Sequence, residues 1–91
     1  MAIEVRIPTI LRNHTGGERA VEASGATLGE LMDDLEVRHP GLRARLVAGD
    51  GTLNRFVNVY LNDEDVRFLG GLATPLSDGD TVTVLPAVAG G

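Results

Sequence analysis

One stretch of this chain repeats with the period of a long helix. Leu28, Leu31, Met32 and Leu35 follow at i, i+3, i+4 and i+7 and so share one face. Asp33, Asp34 and Glu36 lie mostly on the other. Thr27 and Glu30 stand at the spacing of a capping box, which predicts a hydroxyl cap on the first turn. Pro40 and Gly41 stop the helix near His39. Gly29 costs about 1 kcal/mol relative to alanine inside that first turn. It is either tolerated or permits close packing on a sheet.

The rest of the chain alternates with a period of two. Ile3, Val5 and Ile7 share one face of IEVRI, with Glu4 and Arg6 on the other. ERAVEA (18–23) reads as a second strand, joined to the first through a short loop with a turn at Thr15-Gly16-Gly17. RFVNVYL (55–61) sets Val57, Val59 and Leu61 against Phe56, Asn58 and Tyr60. NDED (62–65) is turn chemistry, and VRF (66–68) reads as a short edge strand. TVTVLP (81–86) is the last strand, with Val82 and Val84 inward and Leu85 on the open face with Thr81 and Thr83. GLRARLV suggests one further helical turn with Leu42 and Leu46 inward, and GGLATPL a loop that tucks in Leu72 and Leu76. Strands in pairs around one helix predict an α+β domain in which a mixed sheet packs on that helix. The pattern suits a β-grasp, the ubiquitin-like fold. Its core should hold Val5, Ile7, Leu31, Leu35, Val57, Val59, Val82 and Val84.

Composition bears on chemistry more than on fold. The net charge of −5 argues against a nucleic-acid surface, and the acidic surface suggests basic partners. No apolar run reaches membrane-span length, and MAIEVRI lacks a signal-peptide pattern, so the expected location is the cytoplasm. There is no Cys, hence no disulfide or thiolate nucleophile. His14 and His39 are far apart without metal-ligand spacing and read as surface loop residues. No acid–base constellation stands out, so a self-sufficient enzyme is not expected. All eight basic side chains are Arg; Lys is absent.

The sequence ends in LPAVAGG (85–91), a thread of small residues after a strand introduced by D-G-D. A β-grasp of this size with Gly-Gly at the end of its last strand resembles the sulfur carriers of the MoaD/ThiS family. "IPTILRNHTGG" (7–17), "RFVNVYLNDEDVRFLGGLAT" (55–74) and "LPAVAGG" together are similar to the branch used in cysteine biosynthesis, of the CysO type. The resemblance covers nearly the whole chain and is thinnest in 36–53. The stretch from RFLGGLAT to AGG also resembles some small subunits of molybdopterin synthase.

The resemblance implies a division into a β-grasp domain (1–86) and a flexible functional tail (87–91). It implies a carrier acted on by other enzymes. A ubiquitin-activating-like adenylyltransferase and sulfurtransferase adenylates Gly91 with ATP, and a sulfur donor converts it to a thiocarboxylate. A pyridoxal-phosphate cysteine synthase then supplies an aminoacrylate made from O-phosphoserine. After sulfur attack and an acyl shift to nitrogen, cysteine is amide-linked to Gly91. A JAMM-type zinc metallopeptidase releases it. No cofactor is expected on the carrier itself: ATP, pyridoxal phosphate and zinc belong to the partners.

Physical arguments fit that cycle. Five residues beyond Pro86 span at most about 17 Å, enough to enter a narrow active site. Gly90 and Gly91 lack Cβ and can pass a constriction, Ala89 is slim, and Val88 offers one apolar grip. The absence of Lys either spares the activated acyl end an internal amine or reflects codon bias toward Arg. Leu85, with Phe56, Tyr60 and Phe68, is a candidate docking patch for the partners. For Leu85 the alternative is an ordinary exposed apolar residue. Two other functions share the same tail: a molybdopterin-synthase small subunit, and a ubiquitin-like modifier joined to target lysines.

Overall fold

The computed structural model describes residues 2–87. Its strands are β1 (Ile3–Arg6), β2 (Ala20–Ala23), β3 (Val57–Leu61), β4 (Glu64–Asp65) and β5 (Thr81–Pro86). They form a five-stranded sheet in the order β2-β1-β5-β3-β4. The central pair β1 and β5 is parallel, and the other neighbours are antiparallel. The long helix α1 (Leu28–Arg38) and the single turn α2 (Arg43–Leu46) bury their apolar residues in the same core as the sheet. This is the α+β, β-grasp arrangement expected from the pattern.

The core is where alternation and helical period meet. Ile3, Val5, Val57, Val59, Val82 and Val84 come from the sheet; Leu28, Leu31, Met32 and Leu35 come from α1. Leu42 and Leu46 close it from the α2 side, each fully buried. Burying one such side chain contributes roughly 1.5–3 kcal/mol. The register is the one expected: Val82 and Val84 are inward, and Leu85 is 45 % exposed. All eight residues assigned to the core are buried.

Local polar groups fix the helix. The Glu30 amide donates to Thr27 Oγ1 at 3.3 Å, as the capping box requires. The reciprocal arm reaches one residue further back, where the Ala26 amide donates to the Glu30 carboxylate at 3.0 Å. Asp34 accepts from the Ser24 amide at 2.8 Å and from Arg38 Nε at 2.7 Å, tying the end of β2 to α1. The Ser24 bond, then Arg38, holds the Asp34 carboxyl below the ordinary range against the opposing effect of desolvation. Glu36 organises the stretch in which no motif was recognised: its carboxylate accepts from the amides of Gly41 and Arg43 at 3.1 and 3.3 Å, bending the chain into α2.

Four local readings need correction. Residues 66–68 form a 3-10 turn; the edge strand is Glu64–Asp65 just before it. Asp65 Oδ1 accepts from the Arg67 amide at 2.9 Å, which caps the turn, and Val66 is pulled into the core. The Asn62-Asp63 pair supplies the tight hairpin instead, with φ of 48° and 75°. The loop after β1 is also not plain: Thr9–His14 is a 3-10 turn that buries Leu11. Gly29 packs against the 3-10 turn Gly71–Ala73 and not the sheet; a Cβ there would sit 3.2 Å from the Leu72 carbonyl oxygen. His14 is half-buried against Gly41, with Nε2 buried and unpartnered among the described residues, so it is not a free surface side chain. His39 is likewise only partly exposed, at the C-terminal end of α1.

Candidate functional site

The sheet has one face in the core and one open, and β5 reaches the C-terminal end from the sheet's centre. It is held on both sides: by Arg6↔Thr83 on β1 and by Asn58↔Leu85 on β3. The antiparallel register continues past Pro86, since the Ala87 amide donates to the Phe56 carbonyl at 2.9 Å. The strand start is equally fixed. Asn62 Oδ1 accepts from the Thr81 amide at 3.0 Å, and the Asn62 amide donates to the Thr81 carbonyl at 2.9 Å. The fold therefore holds β5 in place from both sides as far as Ala87. Val88, Ala89, Gly90 and Gly91, which carry the expected chemistry, lie outside the described residues, as does most of the proposed tail.

The expected docking patch is only partly assembled. Leu85 and Tyr60 share the open face on adjacent strands, Tyr60 standing opposite Thr83 and so diagonal to Leu85. Tyr60 is partly buried and Leu85 half-exposed. Phe56 does not continue the row. The Phe56 amide donates to Asn54 Oδ1 at 2.9 Å, forming a turn that delays the strand until Val57. Its ring, 62 % exposed, instead lines a groove with Ile10, Leu11 and Ala44 at the end of the sheet, with the Arg55 guanidinium 5.3 Å from the ring centroid. Phe68 is 87 % exposed but follows β4, which β3 separates from β5.

Residues that sequence reading missed stand beside Leu85. A groove of about 510 Å³ is lined by Arg6, Arg12 and Arg19 together with Pro8, Thr83 and Leu85. The acidic surface expected from the net charge is thus not what flanks Leu85. Three carboxylates, Glu4, Glu22 and Asp80, line a second groove toward the N-terminal end of β5. The sequence signal was weak because the three arginines follow no strand or helix period within the β1–β2 hairpin, and Leu85 lies far from them along the chain. Only the pairing Arg6↔Ala20 and Arg6↔Thr83 brings three segments to one place.

Among the described residues no group of His, Cys, Asp and Glu could hold a metal ion. No helix is long and apolar enough to cross a membrane. The described site comprises the end of β5, a half-exposed Leu85 and an arginine-lined groove beside it.

The sequence model of the ThiS family matches residues 5–91. This chain belongs to the ThiS family. It is 60 % identical over the whole length of both chains to the sulfur carrier protein CysO of Mycobacterium tuberculosis. A chain in the crystal structure of the Amycolatopsis orientalis BexX/CysO complex superposes with a TM-score of 0.92, at 64 % identity, over 99 % of this chain and 100 % of that one. The small archaeal modifier protein 3 of Haloferax volcanii is 47 % identical over 72 % of this chain and 71 % of its own. The ThiS-family match runs through β5 and on to the Gly-Gly pair.

Proposed function

We propose that this chain is a sulfur carrier whose Gly91 carboxylate is adenylated, converted to a thiocarboxylate and used as the sulfur source for cysteine biosynthesis. The observation that carries the reading is the full-length similarity to CysO, 60 % identity over 100 % of both chains. The geometry supports it: β5 is clamped between β1 and β3, so the residues after Pro86 start from a fixed point of the fold.

A carboxylate is a poor electrophile. Adenylation supplies a leaving group; the sulfur nucleophile adds to the Gly91 carbonyl carbon, and AMP departs with the C–O bond's electron pair. The product carries –COS⁻ at the end of a thread of at most about 17 Å. The chain's own part is to dock and to present that end; the chemistry is done in partner enzymes. In this reading those are an adenylyltransferase using ATP, a pyridoxal-phosphate cysteine synthase and a zinc metallopeptidase that frees the cysteine. Val88, Ala89 and Gly90 are the thread, and Leu85 with Tyr60 is the docking patch; Phe56 and Phe68 stand apart from it.

A second reading is carried by the likeness to the archaeal modifier protein: the same activated end captured by a lysine amine of another protein. Reconstitution separates the readings. The protein is incubated with ATP, the activating enzyme and sulfide, then with the cysteine synthase and O-phosphoserine, and followed by intact mass. Conversion of the thiocarboxylate to a cysteine adduct is expected. A thiocarboxylate that yields no adduct contradicts the cysteine assignment and favours transfer to a pterin precursor. Linkage to lysines with no thiocarboxylate favours the modifier.

A further inference from the structure

The open face of the sheet is electrically polar along its strands. At the N-terminal end of β5, Glu4, Glu22 and Asp80 share one groove. At the C-terminal end, Arg6, Arg12 and Arg19 share another with Leu85. In a chain of net charge −5, three of eight arginines meet at the point where the tail leaves. Among the described residues, one of the three charges is paired internally and two are not. Arg6 Nε pairs with Glu4 at 2.9 Å, which raises its pKa, chiefly through that hydrogen bond. Arg12 Nε donates to the Ile7 carbonyl at 3.1 Å, a neutral acceptor that holds the side chain in place. Among the described residues neither Arg12 nor Arg19 forms an ion pair. Pro8 and the half-exposed Leu85 line the same groove and give it apolar surface.

We propose that this arginine-flanked groove is the docking surface for the activating enzyme, and that it accepts an acidic segment carrying one apolar side chain. The proposal rests on the sulfur-carrier reading and names the chemistry of its partner. Guanidinium groups bind carboxylates in bidentate fashion, and the fixed pose of Arg12 favours a defined partner geometry. Gly91 is six positions beyond Leu85, which places the partner's acidic surface within about 20 Å of its ATP site.

The test uses purified full-length protein and the activating enzyme, with binding measured by calorimetry and product by intact mass. Arg19→Glu should weaken binding about 10-fold, and Arg6→Glu/Arg19→Glu further. Raising salt from about 0.05 M to about 0.5 M should weaken wild-type binding and leave the double variant almost unaffected. Glu22→Arg, at the acidic end, should change binding by less than about 2-fold, as expected of a charge outside the contact. Wild-type affinity in both arginine variants, each folded by circular dichroism, overturns the groove and leaves the carrier reading standing. Arginine-dependent binding with no thiocarboxylate overturns the carrier reading and leaves the groove standing. If sedimentation shows that the salt-sensitive event is pairing of two copies, acidic end to basic end, the occupant is wrong and the proposal falls.

Discussion

The two faces of β5 carry out different tasks with the same backbone. Val82 and Val84 face inward and are buried among α1 and the neighbouring strands. Thr81, Thr83 and Leu85 face out, partly or half exposed, with charged grooves at either end. What separates them is a period of two, so a one-residue slip would exchange stability for recognition. The comparison teaches that the open face of β5 can change its side chains without repacking the core beneath it. Substitutions on the covered face should cost folding; those on the open face should cost partner recognition.

The largest effect should come from the covered side. Leu35→Ala removes a fully buried side chain from the middle of α1 and should destabilise the domain by about 2–5 kcal/mol in denaturant titration. An intermediate loss is expected on the open side: Leu85→Glu should weaken activation by about 2 kcal/mol, read as kcat/KM for adenylation, with the unfolding midpoint unchanged. A variant that unfolds, or one that is activated normally, would break the contrast between the faces. Thr27→Ala should then cost about 1 kcal/mol of stability by removing the cap on Glu30, and leave adenylation untouched.

The smallest effect concerns pH. Asp34 is held below the ordinary carboxylate range by the Ser24 amide and Arg38. Its contribution to stability is fully present above the unfolded aspartate pKa of about 3.9 and is lost as pH falls through the lower folded value. Asp34→Asn should therefore flatten the acid limb of the stability profile below about pH 4. At neutral pH it should cost little, because Asp34 is partly open to solvent.

The regular elements were legible because burial dictates their periods. The four apolar positions of α1, the inward valines of β3 and β5 and the cap at Thr27 all follow from spacing alone. What spacing misjudged was decided by single polar atoms. Asp65 capping Arg67 turned VRF into a 3-10 turn, and Asn54 accepting from Phe56 moved a proposed docking residue off the strand. Glu36, which reads as a solvent-facing helix residue, bends the chain into α2 through backbone amides. The candidate site divides in the same way. Leu85 was visible from alternation, whereas its place beside the arginines depends on the pairing of the β1–β2 hairpin with the distant β5. A net charge read along the sequence averages over two ends of opposite sign.

The central claim is that the domain holds and presents a chain end whose terminal atoms are the reagent. Intact-mass analysis of wild type and a Gly91 deletion tests it most directly, each incubated with ATP, the activating enzyme and sulfide, beside a thermal melt of both. The account predicts that wild type gains the mass difference between sulfur and oxygen, with the change located at Gly91. The deletion variant should show no gain and melt at the same temperature, since a terminal residue beyond the last strand buries little. A thiocarboxylate on the shortened chain, or loss of modification accompanied by unfolding, would contradict it.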